Sequence, residues 1–94
     1  MAQKRVHVWI AGRVQGVFFR ASVQEAASNA GLTGWVCNLA DGRVEAVFEG
    51  DAASVERVVQ WCWQGSPMSR VEEVVAEEEP VRGDFHGFEI SYRR

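Results

Sequence analysis

The sequence has little that would suit a nucleic acid or a membrane. Its 94 residues carry a formal net charge of −3, and Lys4 is its single lysine. Because no cluster of lysine and arginine is present, we expect neither a nucleic-acid partner nor binding to a membrane surface. No apolar run approaches the length of a membrane span, and the N-terminus has no signal-peptide core.

Redox and metal-binding patterns are scarce as well. The two cysteines, Cys37 and Cys62, form no Cys-x-x-Cys pair and are too few for a disulfide framework. We interpret both as small buried or half-buried residues that are not bonded to each other. No His, Cys and carboxylate residues share a metal-ligand spacing, and His7 and His86 fit structural roles. We therefore predict no metal, no cofactor and a soluble protein in the reducing cytoplasm.

What the sequence does contain is the composition of one globular domain. Hydrophobic residues make up 47% of the chain and charged residues 24%, which is ordinary for a folded protein. A chain of this length can form one modest core without cross-links. We predict a single domain over residues 1–94 that acts as a monomer.

Periodicity predicts strands and helices in a definite order. The expected strands are 5–11, 32–39, 43–49, 71–76 and 85–92; the expected helices are 19–30 and a segment that Asp51 caps and Gly65 ends. Two interleaved β–α–β units predict an α+β ferredoxin-like split βαβ sandwich. In it an antiparallel sheet has both helices on one face and an extra C-terminal strand. The first strand is central, the second lies beside the third, and the pairing of the last strand stays open.

The same alternation predicts how side chains are distributed. In the third strand, Glu45 and Glu49 are expected to point mostly outward. The acidic residues within 72–79 are interpreted as a solvated face that protects an exposed strand edge. Trp61 and Trp63 lie off the apolar stripe of the second helix, and either packing at the sheet rim or a contact surface would explain them.

A glycine-rich connection over residues 12–20 joins the first strand to the first helix. Gly12 and Gly16 allow a tight turn, and Arg20 provides a forked positive charge. Loop N–H groups and the helix dipole can together bind an anion. In an acidic chain, Arg13 and Arg20 suit a small anionic ligand held in a pocket. The spacing fits neither a Walker A loop nor a dinucleotide fingerprint, and an ordinary strand-to-helix turn remains an alternative.

Asn38 is the second candidate for chemistry. It stands late in an otherwise apolar strand, where asparagine is unfavourable. A neutral amide can orient a water molecule through hydrogen bonds but cannot act as a base. From the residues alone, a hydrogen bond to the turn at Asp41 and Gly42 explains Asn38 equally well.

Two segments together resemble the signature motifs of the acylphosphatase family. Residues 12–20 match Gly-x-Val-Gln-Gly-Val-x-Phe-Arg, and residues 34–45 match Gly-Trp-Val-x-Asn-x-x-Asp-Gly-x-Val-Glu. The similarity runs in order from about Val6 to Tyr92. It implies an acylphosphatase-like domain with a ferredoxin-like fold. It also implies metal-free hydrolysis of a small acyl phosphate to a carboxylate and inorganic phosphate.

The resemblance also implies roles for particular residues. Arg20 matches the phosphate-binding arginine, and Asn38 matches the asparagine that positions the attacking water. Cys37 departs from the family, in which many relatives carry a basic or polar residue. The Cys37 side chain should point away from Asn38, so we expect that this difference from the family causes no loss of activity. The implied phosphate cradle consists of the backbone of Gln15, Gly16, Val17, Phe18 and Phe19.

Other functions are compatible with such a fold. One is a non-catalytic acylphosphatase-like domain that binds carbamoyl phosphate within a larger maturation enzyme. The chain starts and ends with the domain, which favours a free-standing enzyme. The acidic balance disfavours a ferredoxin-like RNA-binding module. A metal chaperone would need paired cysteines in the loop after the first strand, and this loop has none.

Overall fold

A computed structural model describes residues 2–92 and shows one five-stranded sheet with two helices. The strand order is β4-β1-β3-β2-β5. β1 is central and β2 lies beside β3, so the predicted α+β ferredoxin-like arrangement is confirmed. The elements in chain order are β1 (Gln3–Arg13), α1 (Phe19–Asn29), β2 (Thr33–Asn38), β3 (Val44–Asp51), α2 (Ala52–Gln64), β4 (Arg70–Glu79) and β5 (Phe88–Ile90).

The structure decides the pairing of the last strand, which the sequence left open. β5 pairs parallel with β2, so an otherwise antiparallel sheet becomes mixed at this edge. β1 and β2 are both antiparallel to β3, and β4 is antiparallel to β1. A strand that reverses direction after β4 therefore runs parallel to β2. β5 covers Phe88–Ile90 and is shorter than the predicted 85–92.

Both helices pack on one face of the sheet, as predicted. α1 buries Phe19, Val23 and Ala27, at helical spacing, and Asp51 caps α2 by accepting a hydrogen bond from the Ser54 backbone N–H at 3.2 Å. Within the described part of the chain, no helix is long and apolar enough to cross a membrane. The buried residues that the strands and α2 contribute to this core include Val6, Val8, Ile10, Val36, Val44, Ala46, Phe48, Val55, Val58 and Cys62.

The opposite side of the sheet, called here the open face, holds a network of charged side chains. Glu49 is only 3% exposed, so the prediction that it points mostly outward is wrong. Its carboxylate accepts hydrogen bonds from the backbone N–H groups of Arg82 and Gly83 at 2.9 and 3.0 Å. Arg5 Nη1 lies 3.6 Å from the Glu49 carboxylate and 3.5 Å from that of Asp84. The segment 80–87 thus covers Glu49, which alternation within β3 does not reveal.

The acidic end of β4 belongs to this network as well. β4 extends to Glu79, three residues beyond the predicted end, because it stays paired with β1 as far as Arg5. Glu79 accepts a hydrogen bond from Arg5 Nε at 3.1 Å and lies 2.8 Å from His7 Nδ1. The other His7 nitrogen lies 2.6 Å from Glu45. β4 is an edge strand, as the acidic pattern predicted, but Glu79 has partners.

The cysteines and tryptophans occupy separate environments. Cys37 is buried on the open face and Cys62 in the core under the helices, and neither forms a disulfide bond within the described residues. Burial raises the pKa of the Cys62 thiol to about 12. Trp61 is half-buried, with its ring 6.1 Å from that of Phe19, whereas Trp63 is 49% exposed. Trp61 therefore supports the start of α1.

Candidate active site

The segment 12–20, which includes the end of β1 and leads into α1, has two unusual backbone features. At Gly12 the register between β1 and β4 shifts, and a Cβ atom there would lie 2.1 Å from the Arg70 carbonyl oxygen. Only glycine allows this close approach. Phe18, which precedes α1, has φ 60° and ψ 23°. This left-handed conformation costs a residue with a side chain about 1–2 kcal/mol, so the surrounding contacts must hold it in place.

The N-terminus of α1 is open to an anion. No side chain caps it, and no acidic residue lies in its first turn. Within residues 2–92, the backbone N–H groups of residues 15–19 have no hydrogen-bond acceptor. These N–H groups and the positive end of the helix dipole favour negative charge at this point.

A cavity of about 310 Å³ lies at this helix end. Arg20 contributes to it, and the Arg20 guanidinium stacks on the ring of Tyr92 at 5.1 Å. In the described part of the chain, no carboxylate lies within 4.0 Å of this guanidinium. The residues that line the cavity are Val14, Gly16, Phe18, Phe19, Arg20, Ala21, Ile90 and Tyr92.

Asn38 is the last residue of β2, and its side chain lacks the contacts of a turn residue. Its Oδ1 is buried and has no hydrogen-bond partner in the described residues. The Asp41–Gly42 turn is closed differently, because Asp41 Oδ1 accepts from the Arg43 backbone N–H at 3.1 Å. Leaving a buried acceptor unpaired costs about 1–3 kcal/mol. The structure thus gives no support to the interpretation that Asn38 bonds the turn.

The side chain of Gln15 connects the loop to the residues that follow Asn38. Its Nε2 donates to the carbonyl oxygens of Leu39 at 2.8 Å and Arg43 at 2.9 Å. The Leu39 backbone N–H donates to the same Arg43 carbonyl at 2.8 Å. The loop and the β2–β3 turn are therefore held together next to Asn38.

The candidates from the sequence are only partly brought together. Gly16, Phe18, Phe19 and Arg20 line the cavity, whereas Gln15, Val17 and Asn38 do not. Arg13, the other positive charge near the loop, is exposed at the end of β1 and does not line the cavity.

Sequence analysis missed Tyr92, which contacts Arg20, and Ser66, which contacts the loop. Ser66 follows α2, and its Oγ donates to the Val17 carbonyl at 2.9 Å. A serine between glycine and proline is typical of a turn, so nothing in the local pattern indicates this contact. Only the packing of the α2–β4 turn against the loop reveals it.

Other parts of the molecule suit a phosphate less well. A second cavity, of about 490 Å³, lies between α1 and the α2–β4 turn. Its lining includes Glu25 and lacks lysine and arginine, so its charge disfavours an anion. Among residues 2–92, no three His, Cys, Asp or Glu side chains are placed to hold a metal ion.

Comparison with known proteins agrees with this geometry. The acylphosphatase family model matches residues 6–90. An acylphosphatase from Syntrophobacter fumaroxidans is 63% identical over 94 residues, which cover 100% of this chain and 97% of the relative. The crystal structure of acylphosphatase from Bacillus subtilis has a TM-score of 0.91 and 38% identity, over 95% of this chain and 99% of that one.

A larger protein also contains a similar domain. The crystal structure of T. kodakarensis HypF matches with a TM-score of 0.81 and 30% identity, over 96% of this chain but 12% of that one. The family model and the full-length relative decide the assignment. The chain belongs to the acylphosphatase family, and the predictions of that family, of a ferredoxin-like fold and of a hydrolase are confirmed.

Proposed function

We propose that the protein hydrolyses the carboxyl–phosphate bond of small acyl phosphates without a metal or a cofactor. The observation that carries the proposal is a set of polar groups around one loop that lack hydrogen-bond and ion-pair partners within residues 2–92. They are the N–H groups of residues 15–19, the Arg20 guanidinium and Asn38 Oδ1. In a chain of net charge −3, such a set is suited to a small anionic ligand.

The phosphate group is bound by Arg20 and by the backbone of the loop. The Arg20 guanidinium carbon lies over the Tyr92 ring, 5.1 Å from its centroid, and a guanidinium group can bind two phosphate oxygens through its N–H donors. The backbone N–H groups of residues 15–19 supply further donors. Their charge and dipoles stabilise the negative charge of the phosphoryl group in the transition state.

Asn38 positions the attacking water. Its Oδ1 accepts a hydrogen bond from the water, which satisfies the buried oxygen that has no partner within the described residues. The bonds from Gln15 to Leu39 and Arg43 keep this end of β2 beside residues 15–19, called here the phosphate loop. An amide cannot accept the proton, so a phosphate oxygen of the substrate takes it.

The chemistry of an acyl phosphate explains why so few groups suffice. Phosphoryl transfer depends on positioning and on neutralising charge rather than on covalent catalysis. The leaving group is a carboxylate, whose conjugate acid has a pKa of about 4, so it departs without a general acid. A phosphate ester has a much poorer leaving group and should resist hydrolysis.

The test is a comparison of substrates. We expect hydrolysis of benzoyl phosphate, little or no hydrolysis of p-nitrophenyl phosphate, and no change when a chelator is added. Similar rates on the two substrates would contradict the selectivity for acyl phosphates. Loss of activity in the chelator, restored by a divalent cation, would contradict a metal-free reaction.

We further propose that the chain is a free-standing monomeric enzyme of the cytoplasm. The relative from Syntrophobacter fumaroxidans is matched over nearly its full length, which supports a free-standing enzyme. The similarity to a small part of T. kodakarensis HypF favours the alternative of a binding domain in a larger protein. A purified chain that binds carbamoyl phosphate without hydrolysing any acyl phosphate would establish the alternative. Light scattering measures the oligomeric state.

A further inference from the structure

The α2–β4 turn contains a buried hydroxyl that contacts the phosphate loop. Ser66 is 3% exposed, and its Oγ lies 2.9 Å from the carbonyl oxygen of Val17, a residue 49 positions earlier. Gln15 anchors the loop to a different segment, the β2–β3 turn. The loop is therefore held at two points, and Ser66 provides the one nearer to α1.

This hydrogen bond fixes the orientation of a peptide plane in the loop. In a trans peptide the C=O and the following N–H point in opposite directions. When the Val17 carbonyl points to Ser66, the Phe18 N–H must point away from Ser66. Phe18 lines the cavity, whereas Ser66 lines the separate cavity behind the loop. The bond thus directs the Phe18 N–H toward the proposed phosphate position.

The conformation of Phe18 makes this constraint necessary. A residue at φ 60° is strained, and the Phe18 side chain is 83% exposed, so its own packing contributes little to holding it. Strained conformations persist where neighbouring contacts determine them. The hydrogen bond from Ser66 acts on the peptide immediately before Phe18.

The turn that carries Ser66 is itself well defined. The Ser66 carbonyl accepts hydrogen bonds from the backbone N–H of Ser69 at 3.0 Å and from Ser69 Oγ at 2.7 Å. A Cβ atom on Gly65 would lie 2.8 Å from the ring of Phe19. The turn therefore contacts the first residue of α1 and is a firm support for the loop.

We propose that Ser66 is a positioning residue of the acylphosphatase reaction. It acts through the Val17 carbonyl, aims the Phe18 N–H at the phosphoryl group and does not touch the substrate. This inference rests on the proposed function of the loop. It predicts that loss of the Ser66 hydroxyl weakens phosphate binding, beyond any loss of stability.

The experiment compares Ser66→Ala with Ser69→Ala. The control also removes a hydroxyl from the turn, but the Ser69 hydroxyl bonds the Ser66 carbonyl and makes no hydrogen bond to the loop. In Ser66→Ala we expect kcat/KM for benzoyl phosphate to fall roughly 10- to 100-fold, with a higher KM and weaker inhibition by inorganic phosphate. Ser69→Ala should keep the wild-type kcat/KM, KM and inhibition by inorganic phosphate, because the Ser69 backbone N–H still bonds the Ser66 carbonyl. Ser66→Thr, which keeps a hydroxyl, should recover part of the loss.

An NMR titration with inorganic phosphate separates positioning from stability. The Phe18 amide resonance should shift strongly in the wild type and in Ser69→Ala, and weakly in Ser66→Ala. If Ser66→Ala does not fold, Ser66→Cys, with a weaker donor of similar size, replaces it under the same criteria. Wild-type KM and phosphate inhibition in the Ser66 variant that is measured would overturn the inference. Losses of kcat/KM and phosphate binding in Ser69→Ala that equal those in the Ser66 variant would also overturn it.

The proposed function has a separate test. An Arg20→Ala protein that remains fully active would contradict the proposed site itself. Loss of activity in Arg20→Ala together with normal phosphate binding in Ser66→Ala would contradict only the role of Ser66.

Discussion

The open face of the sheet and the phosphate loop both collect polar side chains, but only on the open face are the charged side chains in ion pairs. There, Arg5 contacts both Glu49 and Glu79, and two backbone N–H groups donate hydrogen bonds to the carboxylate of Glu49. At the loop, Arg20 and Asn38 Oδ1 lack such partners within residues 2–92. Paired groups hold the fold together, whereas unpaired groups cost free energy until a ligand binds.

The two regions are nevertheless connected. Glu49 holds residues 82 and 83 against the open face, and the chain then continues into β5, which pairs with β2. Beyond β5, Tyr92 stacks on Arg20. The charged network thus helps to place a residue of the cavity without contacting the substrate. The proposed function predicts that substitutions separate the two regions: those in the loop should change activity, and those on the open face should change stability.

The largest expected effect is on catalysis, from Arg20→Ala. Because this variant removes the charge that we propose binds the phosphate, we expect kcat/KM for benzoyl phosphate to fall by at least about 1,000-fold. Inhibition by inorganic phosphate should be lost as well. Arg13→Ala is the matched control, since Arg13 is exposed and lies outside the cavity. Equal activity losses in the two variants would contradict a specific role for Arg20.

Asn38→Ala should lower kcat by about 100- to 10,000-fold, the contribution of a positioned catalytic group, while KM changes little. Stability should not fall, because Asn38 Oδ1 has no partner within residues 2–92 to lose. Steady-state kinetics and urea denaturation measure the two effects, with Asn29→Ala on the exposed face of α1 as the control. Normal turnover in Asn38→Ala would exclude the water-positioning role.

Glu49→Ala should lower the stability of the fold and leave activity nearly unchanged, the opposite of Asn38→Ala. It leaves Arg5 without one buried partner and frees the backbone N–H groups of residues 82 and 83. We expect a loss of about 3 kcal/mol in the free energy of unfolding, and a much smaller change in kcat. Glu73→Ala, at an exposed position of β4, controls for net charge. An unchanged urea midpoint in Glu49→Ala would show that the network does not stabilise the fold.

The smallest expected effect concerns pH. A hydrogen bond from His7, and a further one from Arg5, hold the pKa of Glu79 below its ordinary value of 4.5. Ionised Glu79 therefore stabilises the fold above that value, and the contribution is lost as pH falls through the lower folded-state pKa. The difference in unfolding free energy from Glu79→Gln should be at most about 1 kcal/mol, since the pair is partly exposed. Urea titrations at several pH values would contradict this if the difference grew on acidification.

Local pattern predicted much of the fold. α1 and α2 follow from apolar spacing and from the caps at Asp51 and Gly65, because helix contacts join residues three or four positions apart. The end of β4 was harder to place, since a run of glutamates disfavours a strand by propensity. Pairing with β1 as far as Arg5 overrides that propensity. The burial of Glu49 depends on a segment more than 30 positions away.

The sequence by itself determined the order of strands and helices, the placement of Arg20 at the start of α1 and, through the two motifs, the family. These features depend on neighbours along the chain. Only the tertiary structure decided the parallel pairing of β5, the bonds of Gln15 beside Asn38, and the contact of Ser66 with Val17. Each joins segments that are distant in the chain, and their proximity arises only when both helices pack on one face of the sheet.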